Sequence, residues 1–104
     1  MRARVELLWW EGCPSSGAAH ELVRRLMAEA GLDPTSLRSI EIDTDAAAER
    51  ESFVGSPTVR IDGRDIQPPA DGDAPGLCCR VYHLRDGRIS PLPDPEDIKE
   101  ALVP

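Results

Sequence analysis

A chain of 104 residues holds one small domain with a modest core, and 40% hydrophobic against 30% charged residues implies a well-solvated surface. The net charge is −7, and the eleven arginines and Lys99 are scattered rather than patched, which excludes a basic stripe for nucleic acid and steers towards neutral or cationic partners. The three cysteines, Cys13, Cys78 and Cys79, are an odd number, ill suited to a disulfide-stapled secreted domain. After Arg2 and Arg4, the apolar run Val5 to Trp10 is short and interrupted by Glu6. It reads neither as a signal peptide nor as a membrane span, so a cytoplasmic protein with reduced thiols and no membrane partner is expected.

Residues 3–10 read as a strand that is apolar on both faces near its end, as a central strand covered on both sides would be. Residues 15–30 read as an amphipathic helix. Ala19, Leu22, Val23, Leu26, Met27 and Ala30 form one stripe, while His20, Glu21, Arg24, Arg25 and Glu29 lie opposite. Gly31 closes the helix and Pro34 follows it. Between strand and helix stands Trp9-Trp10-Glu11-Gly12-Cys13-Pro14-Ser15-Ser16. A cysteine at an opening helix N-terminus meets free N–H groups and partial positive charge, which favour thiolate over thiol. Pro14 suits the first helical position, and Ser15 and Ser16 suit capping. The stripe extrapolates back to Ser16, which should face inward, with Cys13 at an exposed tip. A small buried, inert cysteine is the alternative.

Residues 37–43 alternate, with Ile40 and Ile42 on one face, and read as a half-exposed edge strand. Thr44 or Asp45 caps a short helix from Ala46 to Ser52, after which Phe53 and Val54 re-enter the core. Ser56-Pro57-Thr58 leads into a strand from Thr58 to Ile61, and Asp62-Gly63 reads as a tight turn. Residues 67–77 form a loop rich in Pro, Gly and Asp, long enough for such a domain to suggest function. Cys78-Cys79 closes it. Arg80 to Leu84 reads as the last strand of the sheet, and Asp86-Gly87 as a turn. A short helix runs from about Glu96 to Val103. The order β-α-β-α-β-loop-β-α predicts an α/β fold: one domain over residues 1–104, a four-stranded mixed sheet and helices on both faces. The two early strands should be parallel.

This order, with Cys13 after the first strand and Ser56-Pro57-Thr58 before the third, resembles the thioredoxin fold over nearly the whole chain. Leu8-Trp9-Trp10-Glu11-Gly12-Cys13 is similar to the approach to that family's active site. The resemblance implies that Cys13 is the attacking thiol and that Pro57 is cis, a minority state that sequence alone would not predict. It further implies that Pro57 and the Thr58 backbone hold the substrate, with Trp10, Pro14 and Ser16 beside it. Ser16 stands where the second cysteine of Cys-x-x-Cys would be, so the site is more similar to a monothiol glutaredoxin. A resolving thiol must then come from Cys78, Cys79 or glutathione.

The tail Cys78-Cys79-Arg80-Val81-Tyr82-His83 is similar to a Cys-Cys-His-Val-His stretch of alkylmercury lyase, which points to Cys78. Gly76 to Tyr82 also resembles the Gly-x-x-Cys-Arg-x-Tyr tail of small thioredoxin-like Gly-Cys-Pro proteins, which points to Cys79. Both assignments stay open. In an extended chain the two side chains go to opposite faces, so one should be buried. His20 reads as a solvated surface residue and His83 as exposed. Adjacent thiols lack zinc-site spacing, and no metal site is expected. The expected activity is a thiol oxidoreductase acting on a disulfide, peroxide or electrophile. It needs no resident cofactor, and glutathione or thioredoxin serves as external reductant. Organomercurial handling and a catalytically silent binding module are the rival readings.

Overall fold

The computed structural model describes residues 3–70 and 72–103; Arg2, named above, and Asp71, within the predicted loop over residues 67–77, lie outside them. Val5–Trp9 forms β1, one of the two inner strands of a four-stranded sheet. Arg38–Glu41 forms β2 at the sheet's edge, parallel to β1, with Leu8 opposite Ile40. Thr58–Ile61 forms β3 on the other side of β1, antiparallel, with Leu7 opposite Val59. Ser16–Glu29 forms α1, Asp45–Glu51 forms α2 and Pro95–Leu102 forms α3.

Alternation along β1 decides which helix covers which face. Val5 and Leu7 enter a core with Val59 and Ile61 of β3, Ala19, Val23, Leu26 and Met27 of α1, and Ile98 and Leu102 of α3. Leu8 points the other way, into a second cluster with Ile42, Ala47, Ala48 and Phe53 under α2. Each fully buried large apolar side chain adds about 1.5–3 kcal/mol relative to exposure, and both faces of the sheet have such residues. No described helix is long and apolar enough to cross a membrane.

Helix ends follow local chemistry. Thr44, not Asp45, caps α2: its hydroxyl accepts the Ala47 N–H at 3.0 Å. Asp94 accepts the Glu96 N–H at the start of α3, where Pro95 takes the first turn. Ala30 at the end of the α1 stripe is exposed, because it is the cap itself; Gly31, at φ +83°, turns the chain away.

The fourth strand differs from the expected one. Asp62 and Gly63 both have positive φ, the backbone of a two-residue hairpin turn whose twist matches its strands. The chain folds straight back as Arg64–Asp65, β4, paired to β3. The predicted last strand over residues 80–84 is not in this sheet. Tyr82–His83, β5, pairs only with Ile89–Ser90, β6, in a separate ribbon. The position beside β3 was already filled by the hairpin.

Candidate functional site

The junction of β1 and α1 does not have the predicted capping geometry. Ser15 occupies the N-cap of α1 and makes no side-chain cap hydrogen bond, and Pro14 lies one residue outside the helix. Ser16 is partly buried, as the stripe implied, but its hydroxyl reaches backwards to the carbonyls of Trp10 and Cys13, at 3.3 and 3.2 Å. The Cys13 N–H donates to the Trp10 carbonyl at 3.0 Å, closing the turn. Gly12 is there because a Cβ would stand 2.4 Å from the Trp10 ring. Trp10 covers the Leu8–Phe53 cluster, whereas Trp9 donates through Nε1 to the Ser39 hydroxyl.

Cys13 is not at an exposed tip; only 4% of its surface is accessible. Tucked beneath the turn, its Sγ–H donates to the Ser56 carbonyl at 3.3 Å. Burial raises the thiol and is the largest single influence on it. The Ser15 N–H, the Ser56 hydroxyl, the Cys79 thiol and the Ser15 hydroxyl nevertheless outweigh burial together, and Cys13 ends below the ordinary thiol value. With the proton present the sulfur donates to the Ser56 carbonyl; with it gone, the Ser56 hydroxyl becomes the donor. Ser15 therefore serves the sulfur rather than the helix.

Ser56 is the hub that the sequence reading passed over in favour of its neighbours. It is fully buried, and the Ser56–Pro57 bond is cis. Its hydroxyl accepts the Trp10 N–H at 3.0 Å and lies 3.5 Å from the Ser16 hydroxyl. Its N–H donates to the Cys78 carbonyl and its carbonyl accepts from the Arg80 N–H, both at 2.8 Å. Those two bonds form a parallel bridge that sets Cys79 directly beside Ser56, on which the Cys13 sulfur also rests. Cys13 and Cys79 are thus brought together, 66 positions apart in the chain.

The tail pair departs from expectation: both Cys78 and Cys79 are exposed. A single bridge residue, not a continuous strand, sits here, so the alternation that buries one neighbour never develops. The Cys79 thiol is pushed up, first by donating to Cys13, then by burial and by the negative charges that Cys13 and Cys78 carry when ionised. Cys78 turns its thiol to the Val54 carbonyl at 3.5 Å instead.

Comparison with protein-family models, curated proteins and solved structures finds no match to this chain.

Pro57 is buried and its carbonyl accepts the Tyr82 hydroxyl at 2.6 Å. Thr58 is fully buried, with its hydroxyl donating to the Gly55 carbonyl and accepting from Arg80. Pro14 is exposed beside the sulfur. Arg80, missed from sequence, is the tail's anchor. Its guanidinium is 7% exposed, pairs with Asp65 at 2.8 Å, also donates to the Gln67 carbonyl, and lies 4.6 Å over the Tyr82 ring. The signal for it was the Arg-x-Tyr spacing, which puts both side chains on one face.

His20 is not merely solvated. It is half-buried, bonded to the Ser16 carbonyl and the Ser39 hydroxyl at 2.7 Å each, with Trp9 edge-on at 5.8 Å. The carbonyl can only accept, so Nδ1 bears the proton. His83 is exposed, as expected. Among the described residues no three His, Cys, Asp or Glu side chains converge as a metal site would require.

Proposed function

We propose that this chain is a thiol oxidoreductase of the thioredoxin-like class, in which Cys13 attacks and Cys79 resolves. The observation that carries the reading is the Ser56 bridge, which sets a second thiol beside an acidified buried cysteine at a helix start. The four-stranded mixed sheet with helices on both faces supports the same class.

The chemistry needs a thiolate, then a second thiol. Cys13 as thiolate attacks a sulfur or oxygen of the substrate and displaces its leaving group. Cys79 then gives up its proton and attacks the Cys13 sulfur, forming an S–S bond and expelling what Cys13 had captured. Two electrons pass from the dithiol to the substrate. Two external thiols of the glutathione kind, or one dithiol of the thioredoxin kind, return them by exchange and leave as a disulfide. Ser16, in place of a second Cys-x-x-Cys thiol, stays spectator and braces the turn. Organomercurial cleavage would need, besides the thiols, a carboxylate that donates a proton at them.

Mass spectrometry with differential alkylation, after one equivalent of hydrogen peroxide, tests it. The expected product is a Cys13–Cys79 disulfide with Cys78 free, and Cys13→Ser should abolish turnover. Full activity in that variant would refute the reading, and an unmodified Cys13 would refute it in favour of a binding module.

A further inference from the structure

Cys13 is 4% exposed, and its sulfur rests 3.3 Å from the Ser56 carbonyl. Because that sulfur lies against Ser56, an extended polypeptide disulfide-linked to it and held by backbone pairing would compete for the Ser56 N–H and C=O. That backbone is already engaged: its N–H bonds the Cys78 carbonyl and its C=O the Arg80 N–H. Residues 78–80 lie where such a polypeptide would lie, with Cys79 as the residue presented. The segment is packed down, not resting loosely. Arg80 is clamped by Asp65, Thr58 and Gln67, and a Cβ on Gly55 (φ +144°) would stand 3.0 Å from the Arg80 Cβ. On the outer side, a cavity of about 400 Å³ lined by Val54, Gln67, Arg80 and His83 opens onto Cys79 itself.

Building on the redox reading above, we propose that residues 78–80 are a built-in occupant of the Ser56 backbone. Cys13 therefore reacts with small electrophiles of the hydroperoxide class and not with a disulfide on an extended polypeptide, and the external thiol exchanges at Cys79. In the oxidising half, the Cys13 thiolate attacks one peroxide oxygen and the O–O bond breaks. Cys13 becomes a sulfenic acid, and the alkoxide takes up a proton and leaves as alcohol. Cys79 attacks the sulfenic sulfur; the S–O bond breaks, and hydroxide leaves with the Cys79 proton as water. In the reducing half, an external thiol attacks Cys79, the exposed sulfur. Cys13 departs as thiolate, the better leaving group. A second external thiol then frees Cys79. One hydroperoxide is reduced by two electrons, and two external thiols become one disulfide.

The test uses the full chain with Cys78→Ser and Cys79→Ser, so that Cys13 alone reacts. Three probes are compared: hydrogen peroxide, the thionitrobenzoate mixed disulfide of 2-mercaptoethanol, and the same mixed disulfide on the cysteine of an extended ten-residue peptide. The last two share one leaving group, so their ratio reads access. The small disulfide should react about thirtyfold faster than the peptide, which at about 1.4 kcal/mol per tenfold matches opening two backbone hydrogen bonds. Asp65→Asn, which loosens Arg80, should narrow the gap; Gly55→Ala, which presses a methyl group on Arg80, is a second route to the same effect. Equal rates with peroxide still reacting would overturn this inference and leave the redox reading standing. A Cys13 inert to peroxide and to the small probe would overturn both. In a Cys78→Ser chain oxidised by peroxide, glutathione should be trapped on Cys79; trapping on Cys13 would overturn the assignment of the exchange.

Discussion

Cys13 combines two demands that usually oppose each other. A buried thiol resists ionisation, yet a nucleophile at neutral pH must ionise. Four donors reconcile them: the Ser15 N–H and hydroxyl, the Ser56 hydroxyl and the Cys79 thiol. The pH profile of Cys13 alkylation by iodoacetamide should therefore have its midpoint below that of an ordinary cysteine thiol measured alongside it. Cys79→Ala removes one donor to the thiolate, so the midpoint should move up and alkylation at neutral pH should slow. An unmoved midpoint would mean that Cys79 does not donate to Cys13. Much of this was legible in residues 9–16, since a strand-to-helix turn announces itself through apolar pattern, Gly and Pro. What was not legible is that the sulfur points inward. That direction is set by Ser56, which contacts Cys13 only after the β1–β3 pairing brings residues 56 and 10 together. No local pattern records such a contact.

Elements show the same division between short-range and long-range signals. The α1 stripe and the alternation of β2 are periodic over many residues, and both elements formed where the pattern put them. The pieces that position Cys79 are two residues long, too short for any period. Residues 80–83 do alternate inward and outward, with Arg80 and Tyr82 buried and Val81 and His83 exposed, but their partner is the two-residue β6 and not the main sheet. The ribbon holds the tail to the cis-proline turn through one buried hydrogen bond, Tyr82 hydroxyl to Pro57 carbonyl. Burial pushes the Tyr82 phenol far above its ordinary value, so it remains a donor across the accessible pH range. Tyr82→Phe keeps the ring under Arg80 and removes only that donor. It should cost about 1–3 kcal/mol in urea denaturation, the worth of a buried carbonyl left without its partner. It should also slow formation of the Cys13–Cys79 disulfide, because the tail is then less firmly placed. A variant as stable as the parent, with unchanged disulfide kinetics, would show that the Ser56 bridge and the Arg80 anchor hold the tail without the Tyr82 hydroxyl.

At the scale of the whole molecule, the two thiols join distant parts of the chain. Cys13 stands between the first strand and first helix, and Cys79 stands beyond the long loop that follows the sheet. Oxidation therefore closes a loop of roughly 65 residues, and the chain-entropy argument assigns such a closure about 4 kcal/mol through the unfolded state. The folded reduced protein already holds the two residues side by side, so little rearrangement should offset that gain. In a Cys78→Ser chain, where only one internal pair can form, the oxidised protein should unfold at higher urea than the reduced one. Its dependence on urea should also be shallower, because a cross-linked unfolded chain exposes less surface. Stability then rises on oxidation, and the same free energy makes the disulfide harder to reduce. In the proposed cycle an external thiol would work against it, attacking the exposed Cys79 with the more acidic Cys13 as the departing sulfur. If the oxidised chain were instead less stable, the bond would be strained against the Arg80 anchor. Reduction would then be driven by release of the tail from Ser56, and Asp65→Asn, by relaxing that anchor, would restore the lost stability.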